Sequence, residues 1–458
     1  MRRILCILTA TALLAIAMQA ALSRDDVGAP YPSWGRSDGG AFEPMATTVY
    51  PWPMYTHDET HSSLTKSPSP DDASVYWFSS TGPTMYGSPT IAEGKVFIGM
   101  GSGTGDSVMA FYVNNGTLVW KTRTDAPVSG GNGVSSTPAY SNGLLFFAAD
   151  KIYALYASNG TVKWRFSVTN TWWGSGTPTV AQGKVFVGAV VGSPPDRWLH
   201  VLDQNSGQLI WRFQTQNDGG SNYGLFSPPA VWGNWVYLAG CDGYVYQINI
   251  TQSGTTASYF HRSTRFLTMY GSPLIFDNKV YIGDGYTGPD SNARFRALST
   301  TDLSVVWTFT PPTAGSFFSS AASAYNKIFV GSTNGYVYAL DPWTRAIIWS
   351  YYTNGVIWSS PAISDGKVFI GSESNNLYSF NANQTNPATA RWIFNTYGNV
   401  DSSPAISDGR VCVGTFGNGG RIYCIGSGIT PPVNNPPTIS LTSPGGASDW
   451  TGGTMHLV

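Results

Sequence analysis

Ser360-Pro361-Ala362-Ile363-Ser364-Asp365-Gly366-Lys367-Val368-Phe369-Ile370-Gly371 reads as a short strand, a tight turn and a second strand. Apolar and polar residues alternate with period two, Asp-Gly supplies the turn, and the proline confines the residue before it to extended backbone. The same pattern returns as Ser88-Pro89 to Gly99, Ser272-Pro273 to Gly283 and Ser403-Pro404 to Gly414. Weaker copies begin at Thr137-Pro138, Thr177-Pro178 and Ser227-Pro228, and a further copy at Ser320-Ala321 has lost the proline. The anchors stand at 89, 138, 178, 228, 273, 321, 361 and 404, eight units about 45 residues apart.

Each unit also repeats its second half, clearest in Asn334-Gly335-Tyr336-Val337-Tyr338-Ala339-Leu340-Asp341 followed by Ala346-Ile347-Ile348-Trp349. A tryptophan recurs in the last strand as Trp120, Trp164, Trp211, Trp307, Trp349 and Trp392, with Tyr259 at this place in the fourth unit. Four short antiparallel strands in a fixed period describe a propeller blade, so the expected fold is all-β, an eight-bladed propeller. The eighth copy stops at Ile425 without its tryptophan strand, while an orphan strand, Val75 to Ser79 with Trp77, precedes the first anchor. Donating that strand to the last blade closes the ring and removes its exposed edges. The tryptophan series, Trp77 included, is read as packing between blades.

The remaining segments set the boundaries. Residues 1–23, with Arg2 and Arg3 before an apolar run from Ile4 to Met18, read as a secretory signal peptide. Residues 24–72 are rich in Pro, Ser and Thr and are expected to be irregular, lying on the ring's surface or mobile and supplying no strand. The propeller spans 73–428, a Pro-rich linker 429–437, and 438–458 resemble the opening of an immunoglobulin-like sandwich. No other apolar run is long enough to span a membrane, so an exported chain is expected, extracellular, at the cell surface or in the periplasm. Cys412 and Cys424 fall opposite each other in consecutive strands of the last blade and are expected to form a disulfide, leaving Cys241 a free thiol.

Of the 458 residues 42% are hydrophobic, 14% aromatic and 11% charged, and 25 Lys plus Arg against 26 Asp plus Glu leave a net charge of −1. That balance gives no electrostatic footprint for nucleic acid.

The pattern Gly-x-Val-Tyr-Ala-Leu-Asp…Trp resembles the repeat of the pyrroloquinoline quinone (PQQ)-like propellers, and Trp52-Pro-Met-Tyr-Thr-His-Asp58 resembles their N-terminal entry. The resemblance covers about residues 50 to 425. The family includes quinone-dependent alcohol dehydrogenases, the propeller of outer-membrane protein assembly (the BamB type), and surface proteins that bind no quinone. A dehydrogenase implies calcium held by carboxylate and amide oxygens, an aspartate base and often a disulfide between adjacent cysteines. This chain has no adjacent cysteine pair and four glutamates, Glu43, Glu59, Glu93 and Glu373, with Asp125, Asp218 and Asp401 the chief carboxylates near the inter-blade loops. The assembly propeller carries a lipid-attachment cysteine that is missing here.

Other motifs are read plainly. His57-Asp-Glu-Thr-His61 departs from the His-Glu-x-x-His spacing of a zinc helix and is expected to be a solvated entry loop. Gly99 to Gly105 connects two strands and opens no helix, and Asp284 to Asn292 is expected to be a simple long loop rather than a calcium site. Asn115, Asn159, Asn249 and Asn383 begin glycosylation sequons. No catalytic residue and no metal site is assigned, and no cofactor is expected outside the dehydrogenase alternative, which takes PQQ and calcium.

The site expectation rests on the segments before the anchors, which lie near the axis on one face. Tyr86, Trp172, Trp173, Tyr223, Phe226, Tyr270, Phe318, Trp358 and Asp401 are the binding-face candidates. Aromatic side chains at such a face suit recognition of a protein or a glycan. The expected function is a non-catalytic binding or scaffold module of a larger envelope or surface protein. A quinone-dependent alcohol or sugar dehydrogenase and a BamB-like assembly factor are the alternatives.

Overall fold

The computed structural model describes residues 50–81, 87–101, 106–126, 134–167, 176–189, 197–216, 224–285, 293–417 and 420–426. These form eight antiparallel four-stranded sheets, one per repeat. Within blade 6, for example, Ala322–Ala324, Lys327–Gly331, Tyr336–Leu340 and Ile347–Tyr352 follow one another in order. The first strands of successive blades neighbour each other in a closed circle, the first blade meeting the eighth, so they line the axis. In blade 8 the fourth strand is Val75–Ser80, which pairs with Arg421–Ile425 through Phe78 opposite Tyr423. Cys412 and Cys424 stand opposite each other there and form a disulfide.

Neighbouring blades are joined by one device repeated round the ring. The indole Nε1 of Trp77, Trp120, Trp164, Trp211, Trp307 and Trp349 donates to a carbonyl at the end of the next blade's third strand, on Val113, Ala157, Gln204, Ile250, Pro342 and Ala382. A buried donor thus finds its partner across the joint, while the ring covers the next blade's turn. For Trp392 the equivalent carbonyl is that of Ser427, outside the described residues.

Blade 4 departs from the pattern. The residue opposite Gln247, where the other blades place tryptophan, is His261 and not Tyr259, whose ring packs beside Phe213 and Tyr246. Gln247 itself takes over the joint, its Nε2 donating to Thr300 O at 3.0 Å.

Residues 50–70 are neither irregular surface nor strandless, which corrects the expectation for 24–72 in the part described. They make one circuit inside the ring. Tyr50 O accepts from Ser407 Oγ in blade 8, and Trp52 exchanges backbone bonds with Ile91 in blade 1. Tyr140, Val231, Ile275, Ser323 and Ile363, each the middle residue of its inner strand, then donate their amides to the carbonyls of Pro53, Glu59, Thr60, Ser62 and Ser63. Leu64–Thr65 pairs in parallel with Ala362–Ser364 of blade 7, and Gly409 N closes the circuit on Pro68 O in blade 8. The inner strands have a free edge toward the axis, and their amides must be paired if buried. The belt pairs them.

Candidate functional site

Each blade is entered through its Ser-Pro anchor. The anchor hydroxyl accepts the amide of the preceding anchor. Ser88 N donates to Thr137 Oγ1, Thr137 N to Thr177 Oγ1, Ser272 N to Ser320 Oγ and Ser320 N to Ser360 Oγ. Ser360 N then donates to Ser403 Oγ and Ser403 N to Ser88 Oγ, which joins the eighth blade to the first. Six of the eight anchor hydroxyls accept in this chain, which accounts for Ser or Thr there, while Ser227 and Ser272 turn their hydroxyls to Pro228 O. Sequence reading found the anchors without finding their partners.

The residues just before the anchors alternate between core and face. Val134, Leu225, Phe317, Ile357 and Val400 are buried over Gly99, Gly188, Gly283, Gly331 and Gly371, where an added Cβ would come within 2.2–2.6 Å of the neighbour. That close approach explains the glycine ending each Lys-Val-Phe-Ile-Gly run. Phe226, Trp358 and Asp401, which follow Leu225, Ile357 and Val400, are partly exposed, as is Tyr270 after buried Met269, whereas Phe318 after Phe317 is itself buried. Leu225 shares the count of three residues before its anchor with Tyr270, Phe318, Trp358 and Asp401, yet it is a core residue, because the fourth loop is one residue shorter. Phe226 takes the face position.

Four of these side chains form a continuous arc. Ring centroids lie 5.4 Å apart from Phe226 to Tyr270, 4.8 Å from Tyr270 to Phe318 and 4.7 Å from Phe318 to Trp358. The last pair is stacked at 5° with Trp358 39% exposed, so one ring supports the other against solvent. Tyr86, Trp172, Trp173 and Tyr223 lie outside the described residues.

The arc ends on two carboxyl groups. Trp358 Nε1 donates to Glu373 Oε1 at 3.0 Å. Asp401 Oδ1 is buried with no hydrogen-bond partner. Burial, then the charge of Glu373, pushes the Asp401 carboxyl up to about 7. The other loop carboxylate described is committed elsewhere: Asp125 lies 2.5 Å from Lys151 Nζ and 3.1 Å from Arg165 Nε. Asp218 and Glu43 lie outside the described residues, and Glu93 accepts from Tyr140 Oη at 2.8 Å in its inner turn.

One further expectation is corrected. His57 and His61 are not in a solvated loop, for both are buried and His61 is 0% exposed. His61 Nδ1 faces Pro273 O at 3.2 Å and Ser272 Oγ, while Nε2 is 3.4 Å from Thr179 Oγ1. A carbonyl only accepts, so Nδ1 carries the proton, and burial pushes the imidazole down to about 4. The loop beginning at Asp284 is anchored at its root rather than free. Buried Asp284 accepts from Arg294 N at 2.6 Å and from the Arg296 guanidinium, and residues 286–292 lie outside the description. Cys241 is a buried thiol outside any disulfide, pushed up to about 12 by burial. At three of the sequon asparagines, Asn115, Asn159 and Asn249, the side-chain Oδ1 accepts a backbone amide two residues on, as turn-forming asparagine does, while Asn383 Oδ1 accepts from Lys327 Nζ at 2.9 Å.

The family model described as outer membrane protein assembly factor BamB matches residues 104–288 and 195–427. The chain belongs to this PQQ-like propeller family. Similar solved structures include a europium-containing methanol dehydrogenase, 13% identical with a TM-score of 0.62, covering 82% of this chain and 98% of that one. BamB from Moraxella catarrhalis is 13% identical with a TM-score of 0.55, over 76% of this chain and 98% of that one. The computationally designed Ika8 protein is likewise 13% identical, with a TM-score of 0.55 over 80% and 99%. No curated protein matches by sequence. At such identities the likeness is one of fold, which says little about activity.

The dehydrogenase branch makes PQQ and calcium the groups to test. Calcium takes six to eight oxygens. Among the described residues no three His, Cys, Asp or Glu side chains come together. Glu373 and Asp401 offer a pair, one of them already accepting from Trp358 and the other inclined to hold its proton. The described residues do not fit a calcium-quinone site, and no step is derived through one.

Proposed function

We propose that this chain is an exported, non-catalytic propeller that acts as a binding or scaffold module of a larger cell-envelope or surface protein. It takes a protein or glycan on the inter-blade loop face. The reading is supported by the exposed Trp358 ring, stacked on buried Phe318 at the end of an aromatic arc over the axis. Aromatic rings held rigid and partly wet supply contact area at small entropic cost. Residues 1–23 as an export signal and 438–458 as the opening of an immunoglobulin-like module belong to the same proposal. Among the described residues, no helix is long and apolar enough to cross a membrane.

The test is binding to an oligosaccharide array and to a displayed peptide library, with the intact protein and with Trp358→Ala. Ligands kept by the intact protein and lost by the variant are expected. An identical set for both would remove the arc from the proposal. Turnover of an alcohol in a dye-linked assay after addition of PQQ and calcium would overturn the non-catalytic reading.

A further inference from the structure

We infer that the partner at this face is a polypeptide, and that it inserts an arginine side chain between the Trp358 ring and the Glu373–Asp401 carboxyl pair. The inference rests on the binding reading above and adds the chemistry of the ligand.

Charge complementarity carries it. Asp401 Oδ1 is buried and lacks a hydrogen-bond donor. An unmet acceptor of this kind costs free energy in the unbound protein, and a ligand that brings a donor recovers it. Glu373 is held near it, since Val400 N donates to Ser372 O at 3.2 Å and so joins the residues just before Asp401 and Glu373. Two neighbouring carboxyl groups are best met by a cation. The guanidinium groups of blade 8 itself lie against aromatic rings. Arg421 donates to Tyr423 Oη at 3.0 Å and lies over Phe78, and Arg410 lies over the Tyr76 ring at 4.4 Å.

The wall is aromatic. The Trp358 ring is 39% exposed and its edge is tied to Glu373. A planar guanidinium stacks on indole and bonds carboxylate oxygens with its fork of N–H groups, which a compact ammonium does less well. A neutral sugar would stack on the rings but bring no charge to the carboxyl pair.

The choice of a polypeptide follows from the arc's shape. Four rings follow the arc across blades 4 to 7, in steps of 5.4, 4.8 and 4.7 Å, and among the described residues they do not close into a cage. A small free cation is held best by an enclosure, whereas an extended peptide offers same-side side chains about 7 Å apart along such a line.

The experiment uses the intact protein and the fluorescein-labelled, amidated peptide Ala-Arg-Ala-Arg-Ala-Arg. Its twin carries citrulline, which keeps the shape of arginine without the charge. Fluorescence anisotropy at pH 8 should show the arginine peptide binding about tenfold or more tighter than the citrulline one. Asp401→Asn and Glu373→Gln should each erase most of that preference, and the preference should shrink at pH 5.5 as Asp401 takes up its proton. Equal affinity for both peptides would overturn the arginine proposal while leaving the face as a binding surface. Full preference in both carboxyl variants would also overturn it. So would displacement by spermine at the peptide's own concentration, because that result assigns the pair to a small polycation.

Discussion

The belt and the loop face meet the same eight repeats and are treated in opposite ways. Toward the axis the belt of residues 50–70 meets inner-strand amides in six blades, and His61 is sealed among Ser272, Pro273 and Thr179. Over the anchors an indole is left half in water and a carboxyl oxygen has no donor. One side spends its polar groups on holding the ring together, and the other keeps some unspent. The difference teaches where to look for function in a symmetric fold: at the positions where the repeat's own rule of satisfaction lapses.

The sharpest way to break the contrast is truncation. A chain begun at Thr81 loses the fourth strand of blade 8 and Trp77, and should aggregate or show no cooperative melting. A chain begun at Asp71 keeps that strand but loses the belt. The buried Trp52 alone is worth about 3–5 kcal/mol, so its melting temperature should fall clearly below that of a chain begun at Val49. Equal melting of the last two would show that the belt only decorates the axis.

The pH slopes should have opposite signs. His61 has its folded-state value depressed to about 4, so the folded state refuses a proton that the unfolded chain accepts below about 6.5. Stability should be lost as pH falls from about 6.5 toward 4, by on the order of 3 kcal/mol at most. Urea unfolding of the protein and of His61→Asn across that range should converge at low pH. Asp401 has its value raised, so its contribution is present at low pH and lost as pH rises from about 4 through about 7. Asp401→Asn should therefore match the protein at pH 4 and exceed it in stability at pH 8. A variant no more stable at pH 8 would mean that the unmet oxygen finds water.

The smallest effect concerns the joints between blades. Gly160 has φ +73° and packs 2.6 Å from Trp120 by its missing Cβ, so Gly160→Ala should cost about 1–2 kcal/mol. Leu303 holds the matching turn position in blade 5 at φ 59°, where the facing blade offers His261 instead of an indole. Chemical denaturation of Gly160→Ala with Trp120→Phe would show whether the clash depends on the indole.

Much of this architecture was legible because it is written in side chains. Period-two alternation, Asp-Gly and Asn-Gly turns and a tryptophan in seven of the eight outer strands mark the blades of an all-β propeller. The belt was not legible. It works through backbone carbonyls that any residue supplies, from a Pro-, Ser- and Thr-rich stretch that reads as loop. His61 looked solvated for the same reason, since its burial comes from three distant blades. Of the arc, Tyr270, Phe318, Trp358 and Asp401 could be picked out by counting from the anchor. The shorter fourth loop put Leu225 in that count and displaced Phe226 by one. Glu373 was visible as a loop carboxylate, but its contact with Trp358 crosses from one loop to another, and no spacing in the chain announces it. Gln247 substituting for an indole is a change of both residue and strand, which a repeat alignment cannot see.

The belt also fixes an order of events. Tyr50 bonds to Ser407 and Asp408, more than 350 positions later, and Val75–Ser80 has no partner until Arg421–Ile425 exists. The segment made first is thus among the last to find its place, and seven blades must gather before its circuit can close. Such remote pairing slows folding and leaves apolar edges waiting. Single-exponential refolding of the whole chain is therefore not expected. A fast phase should report blade formation and a slower one the closing of the circle, with Trp77 fluorescence changing only in the second.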